Sequence, residues 1–242
     1  AAGTGSGSFY REVARTADCA PEDVVAGDLV LYNNQPGTVW GAEGEFVSAP
    51  RLDDLACVFA CTEGFLTAQE RDMVPVLCVF DNEEIGSETK QGAASVFLPE
   101  TLAAISEALG LSAADHRALL ADSMMLSCDN GHARHPNHPE LADTNEAPAL
   151  NGGVVVKHSP RYATDGVSAA VFTELCRRAE VPVQHYANRP DQMGGATLGN
   201  IADTKLPIPT VDIGMAQLAM HSCFETMGSR DVEAFVRAVR AC

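Results

Sequence analysis

Asp53, Asp54, Glu83, Glu84, Asp129 and His221 are the side chains of this 242-residue chain whose types and placement suit hydrolytic chemistry. Arg51-Leu52-Asp53-Asp54 stands ahead of a helical pattern, and Asp81-Asn82-Glu83-Glu84 follows the apolar run Val74–Phe80. Asp129 follows Met124–Cys128, and His221-Ser222 closes the loop after Ile208–Ile213. In open α/β sheets, ligands bind beyond the carboxyl ends of the strands, so these positions collect at one edge of one sheet. Carboxylates crowded there repel, and some would have to stay protonated. A divalent cation removes that conflict, and mixed Asp, Glu and His ligands suit zinc or manganese. Taken singly, each motif is ordinary. Asp53-Asp54 reads as a helix N-cap, Glu83-Glu84 as a solvated pair, Asp129 before Asn130-Gly131 as a turn former, and His221 as an exposed histidine. Their joint position at strand ends is what points to a site.

The elements that must position them alternate along the chain. A short helix is expected over Phe9–Ala17, a strand over Asp28–Tyr32 and a hairpin over Val39–Ser48, turning near Gly41 and Gly44. Leu52, Leu55, Phe59, Thr62 and Leu66 share one helical face. Val74–Phe80 reads as a buried strand, followed by helices over 89–97 and 100–121 with breaks at Pro99 and Gly110. Met124–Cys128, Gly153–Lys157, Val183–Ala187 and Ile208–Ile213 read as strands, and 130–151 as loop. Asp165–Glu180 is a helix with Val167, Val171, Phe172 and Leu175 as its apolar positions. Ser229 caps a last helix that turns Val232, Phe235, Val236 and Val239 inward. This order predicts an α/β fold, a three-layer α/β/α sandwich with a mixed, mainly parallel sheet between helices. Residues 1–8, AAGTGSGS, read as a flexible linker or tag remnant, which leaves 9–242 as the catalytic domain.

Composition narrows the partners. There are 33 acidic and 16 basic side chains, a formal net charge of −17, with 46% hydrophobic residues, and the length is enough for a sizeable core. An acidic surface repels phosphate backbones and anionic lipids, so neither nucleic acid nor a membrane is expected as a partner. No apolar run approaches the roughly 20 residues that span a bilayer, and no basic segment followed by an apolar one opens the chain. Eight cysteines contain no CxxC pair and fall mostly in apolar runs, as small thiols do in a reduced compartment. A cytoplasmic protein is expected.

Four stretches, taken in order, resemble the aspartyl aminopeptidase family, a branch of the dinuclear-zinc exopeptidases. They are Arg51-Leu52-Asp53-Asp54-Leu55, Asp81-Asn82-Glu83-Glu84-Ile85-Gly86-Ser87, the run from Ser127 to Asn137, and Ala219-Met220-His221-Ser222. The resemblance extends from about Phe9 to the C-terminus. It implies a zinc-exopeptidase-like fold, two Zn2+ ions with Mn2+ or Co2+ as substitutes, and peptide substrates that lose their N-terminal residue, Asp or Glu being candidates. It implies that Asp53 bridges the ions, that Glu84 and His221 complete one site, that Asp129 serves the other and that Glu83 is the general base. Asp54 stands behind the ligands, with a cis peptide between Asp53 and Asp54. Lys157 and Tyr162 match positions that line the substrate pocket, where a lysine can pair with an acidic side chain. At a net charge of −17 that preference would have to be local. His132, three residues after a ligand, is a further substrate contact, whereas His135 and His138 of the same H-x2-H-x2-H row read as surface residues. Gly194-Gly195-Ala196-Thr197 resembles the family's glycine turn near the pocket and is no dinucleotide fingerprint, since Ala196 stands where a second glycine is needed.

The departure from the family lies upstream. Relatives begin with a His-Thr-Asp-like motif that supplies the remaining ligand of the second zinc, then insert a domain that builds a homo-oligomer. Here no histidine precedes His116. The expectation is therefore the C-terminal portion of such an enzyme, with one complete metal site, half of another, and apolar surface left uncovered. The family's oligomer does not carry over to a portion without that domain. The alternative is a catalytically incomplete remnant or subunit that acts as a binding or assembly module.

Overall fold

The computed structural model describes residues 7–69, 73–192 and 194–242. The linker reading of residues 1–8 falls largely on 1–6, outside the described residues. The chain divides into two compact units, Ala1–Asn34 and Gln35–Cys242.

In the first unit, α1 (Ser8–Thr16) closes with Ala17 N–H donating to the Val13 carbonyl, and Pro21 opens a 3-10 turn over Pro21–Asp23. The strand expected over Asp28–Tyr32 does not form. Residues 24–34 have no regular structure, and Leu29, Val30, Leu31 and Tyr32 are exposed. An apolar alternation becomes a strand only when a neighbour takes its backbone hydrogen bonds.

In the second unit, the hairpin of β1 (Thr38–Trp40) and β2 (Phe46–Ala49) leads into α2 (Leu52–Thr67). After α3 (Phe97–Ala108) and α4 (Ala113–Ala121) come β3 (Met125–Cys128), β4 (Gly131–His132), β5 (Val154–His158), α5 (Gly166–Arg178) and β6 (Val183–Ala187). The chain ends with α6 (Leu198–Asp203), β7 (Thr210–Gly214), β8 (Ala216–Leu218), β9 (Glu225–Gly228) and α7 (Ser229–Ala241). A four-stranded mixed sheet runs β3-β7-β5-β6, with β3–β7 and β5–β6 parallel and β5–β7 antiparallel. A second sheet, β1-β2-β9-β8-β4, is mainly antiparallel; beyond the expected β1–β2 hairpin it was not legible in the sequence, because its strands are only two to four residues long.

Side-chain alternation in the first sheet divides two layers. Val154, Val156, Val211 and Ile213 meet Phe172 of α5, Phe235 of α7 and Cys57, Ala60 and Cys61 of α2 in the main core. Val155 points to the opposite face, against Ala133 and Ala216. Asp212 shares that face with α6, where its carboxylate lies so close to Gly199 that any Cβ there would collide with it. The fold is thus an α/β arrangement in which a mixed sheet is flanked by helices, as expected. Val154–Val156 are wholly buried, as a strand covered on both faces requires.

Other local expectations are corrected. Val74–Phe80 forms no ladder among the described residues: Val74, Val76 and Val79 are exposed, while Leu77 packs against the core. Turns, not a helix, occupy most of 89–97, because Asn82 and Ser87 draw the segment back into a compact loop through Ser87 N–H to Asn82 O and Ala94 N–H to Ser87 O. Pro99 sits inside the first turn of α3, where its missing N–H costs nothing, instead of breaking the chain. The inward face of α2 is Cys57, Ala60, Cys61 and Gly64, while Leu55, Phe59 and Leu66 are exposed. In α5, Val167 and Val171 likewise face outward. Ser229 does not cap α7; Gly228 holds that position, and the Ser229 hydroxyl donates to the Gly44 carbonyl.

The α2–α7 contact explains the choice of small residues on α2. A Cβ at Gly64 would lie 2.7 Å from Cβ of Val239. Gly64→Val is expected to destabilise the chain by about 2 kcal/mol, since overpacking (~1–3 kcal/mol) outweighs the small propensity gain over glycine. Urea denaturation of the two proteins measures it.

Candidate metal centre

Asp53 and Asp54 open α2 without being helical: their backbone angles are φ −88°, ψ 108° and φ −117°, ψ 27°, and the peptide between them is cis. Neither side chain caps the helix. The two carboxylates part instead. Asp54 accepts from the Asn130 backbone N–H at 3.1 Å, and Asp53 turns into a cleft of about 690 Å³.

Asn130 ties the motifs together from beneath. It is buried, donates through Nδ2 to Leu52 O and Gln217 Oε1 (both 2.9 Å), and accepts from Cys57 Sγ and Met215 N–H (both 3.2 Å). Asp129 is thereby fixed next to the start of α2. Sequence reasoning took Asn130-Gly131 as a turn; the burial that makes Asn130 a junction has no local signature.

Glu83 and Glu84 lie on a 3-10 turn, Glu83–Ile85, which Asn82 enters at φ 63°. His221 lies in the β8–β9 loop, also at positive φ (64°). Its Nε2 stands 3.2 Å from Asp53 Oδ2 and 3.0 Å from Glu84 Oε2. Asp53, Glu84 and His221 therefore form one group of ligand atoms, and Asp53, Asp54 and Asp129 form a second. The first mixes carboxylate and imidazole, as zinc sites do; the second is carboxylate alone.

The electrostatics show what this crowding costs without a cation. Burial, followed by the charges of Asp129, Glu84 and Glu225, pushes Asp53 up to about 8. Burial and the same neighbours, Asp129 and Glu84, push Glu83 up to about 7. Burial holds Asp54 well above the carboxylate range, with Asp129 adding to it. Asp53 Oδ1 is buried with no hydrogen-bond donor. A carboxylate oxygen so placed, among acidic groups that resist ionising together, is what a divalent ion satisfies, so the residues fit zinc.

Lys157 is the cation within this group. It is 1% exposed, and its Nζ donates to Asp129 Oδ2 at 3.0 Å and to Asn130 O at 3.2 Å. Burial opposes its charge, but Asp129, Tyr162 and Asp212 offset that and raise its pKa. Its Nζ lies 5.3 Å from the Tyr162 ring centroid. Lys157, Tyr162 and His132 all line the cleft, as do His135 and His138.

Residues 5–241 match the family described as aminopeptidase I zinc metalloprotease (M18). The chain belongs to this family of zinc aminopeptidases. Over 241 residues it is 41% identical to a probable M18 family aminopeptidase 2 of Mycobacterium leprae, covering 99% of this chain and 57% of that protein. The corresponding protein of Clostridium novyi is 42% identical over 225 residues, 92% of this chain and 52% of its own length. Among solved structures, the mApe1 dodecamer of S. cerevisiae superposes with a TM-score of 0.83 at 32% identity, covering 96% of this chain and 53% of that one. An M18 aminopeptidase of Thermotoga maritima, 23% identical and covering 100% of this chain and 56% of its own, shares the fold with a TM-score of 0.88. This M18 chain spans about half the length of the curated relatives it matches.

If the first ligand group holds zinc, the ion should stabilise the fold by about 2.7 kcal/mol at a free concentration of 100 times its Kd. Thermal unfolding with chelator against added zinc measures this. His221→Ala is expected to abolish most of the difference.

Proposed function

We propose that this chain carries the catalytic site of a metal-dependent aminopeptidase that removes the N-terminal residue from peptides, with residues 9–242 as the catalytic portion. The observation that carries this reading is the convergence of Asp53, Glu84 and His221, from three distant segments, with His221 Nε2 3.2 Å from Asp53 and 3.0 Å from Glu84, beside Glu83 in an open cleft. Asp53 is read as the ligand shared between two metal positions, Glu84 and His221 as completing one, and Asp129 as belonging to the other. Bound zinc supplies a Lewis acid for the scissile carbonyl and for water.

The chain's own groups do the rest. Glu83, half-buried beside the ligands but outside both ligand groups, is placed to take a proton from the attacking water and return it to the leaving amine. Adjacent glutamates on a tight turn point in different directions, so Glu84 can ligate while Glu83 faces the substrate. Asp54, bonded to the Asn130 amide, keeps Asp53 aimed into the cleft.

The finer reading, aspartyl specificity, rests on Lys157. An ammonium has three donors, and Asp129 and Asn130 occupy two of Lys157's. Lys157 lines the cleft, so its third donor is the one an acidic side chain would meet, with Tyr162 and His132 as neighbouring wall. Because the protein's net charge of −17 repels acidic peptides at a distance, this selectivity would act only inside the cleft. The eight cysteines form no disulfide among the described residues, which supports a cytoplasmic setting. The dodecameric S. cerevisiae relative makes a homo-oligomer the assembly to test for the whole protein.

Glu83→Gln is expected to lower kcat on an aminoacyl anilide by about 10²–10⁴-fold while leaving zinc content unchanged. Stopped assays paired with metal analysis test this, and comparison of aspartyl with leucyl substrates reads the specificity. A fully metal-loaded parent chain that cleaves neither would point to a binding or assembly module. Lys157→Met should weaken the aspartyl preference more than it lowers leucyl turnover.

A further inference from the structure

Glu225, on β9, belongs neither to the cleft lining nor to either ligand group, yet both its oxygens are committed at the metal centre. Oε2 accepts from the Asp53 backbone N–H at 2.9 Å, and Oε1 accepts from the His221 backbone N–H at 2.7 Å. The side chain is wholly buried, at 2% exposure. One carboxylate therefore spans two residues that are 168 positions apart in sequence and that both offer atoms to the same ligand group.

The backbone beneath Glu225 is held in a ladder, whereas the residues it bonds lie outside one. β9 is paired on both sides, to β2 through Ala49↔Glu225 and to β8 through Leu218↔Thr226. Asp53 lies in a non-helical kink, and His221 lies in a loop where two non-glycine residues, Ala219 (φ 57°) and His221 (φ 64°), adopt the left-handed conformation. Such conformations persist only where their surroundings hold them. Within that loop, Ser222 N–H to Ala219 O is the turn's own bond, and Glu225 supplies the anchor for the His221 amide.

We propose that Glu225 is a positioning residue that fixes the distance between Asp53 and His221 and so sets the affinity and geometry of the first metal position. It does so by geometry: each oxygen receives one N–H, and the side chain is wholly buried outside both ligand groups and the cleft lining. A glutamine of the same shape keeps one acceptor and turns an NH2 group toward the other N–H, which pushes one ligand away. An aspartate keeps the charge but is one methylene too short to reach both amides.

This rests on the reading of Asp53, Glu84 and His221 as ligands, and the experiment separates the two. Zinc affinity of the 242-residue chain is measured by competition with a chromophoric chelator, and the visible spectrum of the cobalt-substituted protein reports ligand geometry. Glu225→Gln and Glu225→Asp are each expected to weaken zinc by about 10–100-fold, the range for partners that orient ligands, and to shift the cobalt bands. Glu233→Gln on the exposed face of α7 should change neither, and His221→Ala should remove the site. If His221→Ala leaves zinc binding intact, the ligand assignment itself fails. If His221→Ala abolishes binding while both Glu225 variants bind zinc and cobalt as the parent does, the positioning role is overturned, even where they unfold at lower temperature. Two variants of opposite defect, one in charge and one in length, keep the test open should either fail to fold.

Discussion

The packing of like charges at one end of the sheet is the constraint on which the rest of this structure turns. Asp53, Asp54, Glu83, Glu84 and Asp129 share a region where burial and mutual repulsion lift Asp53, Asp54 and Glu83 above the ordinary carboxylate range. A folded chain keeps such an arrangement only if something opposes it. Part of the opposition is internal: Lys157, buried under the cluster, gives its charge to Asp129. The remainder is left to a cation, and Asp53 Oδ1, buried without a donor, marks where it is needed.

Holding mutually repelling groups in register demands a rigid support, and the structure supplies it with buried polar side chains. Asn130 joins α2, β8 and the β7–β8 connection to the backbone that carries Asp129. Glu225 joins the start of α2 to the histidine loop. Asp212 accepts from Ala163 N–H at 2.6 Å, and its own amide donates to Thr164 Oγ1 at 2.8 Å, which secures the turn carrying Tyr162. Each of these residues faces away from solvent, where an unsatisfied group is costly and a satisfied one is stiff. The short antiparallel sheet serves the same end, since β8 and β9 frame the loop that presents His221.

Much of the fold was legible because local pattern and tertiary role agree along the strands of the first sheet. Met124–Cys128, Gly153–Lys157 and Val183–Ala187 read as strands, and strands form over Met125–Cys128, Val154–His158 and Val183–Ala187. Pattern failed where the partner decides. Leu55, Phe59 and Leu66 are spaced like a core face, but glycine and small residues on the other side of α2 allow α7 to approach, so the larger side chains turn outward. Val74–Phe80 has the composition of a central strand and forms no ladder among the described residues. Composition gives a segment the capacity to be a strand; a hydrogen-bonding neighbour makes it one.

The sequence by itself determined which residues could bind a metal, because ligation depends on side-chain type, and four short motifs carried Asp53, Glu84, Asp129 and His221 to the ends of their elements. It also determined the α/β class, through the order of buried strands and helices. Only the tertiary structure decided that Lys157 spends its charge on Asp129, that Asn130 is a junction instead of a turn, and that Glu225 clasps Asp53 and His221 at once. Those roles depend on distances between segments up to 172 residues apart, and no local property of a chain records such distances.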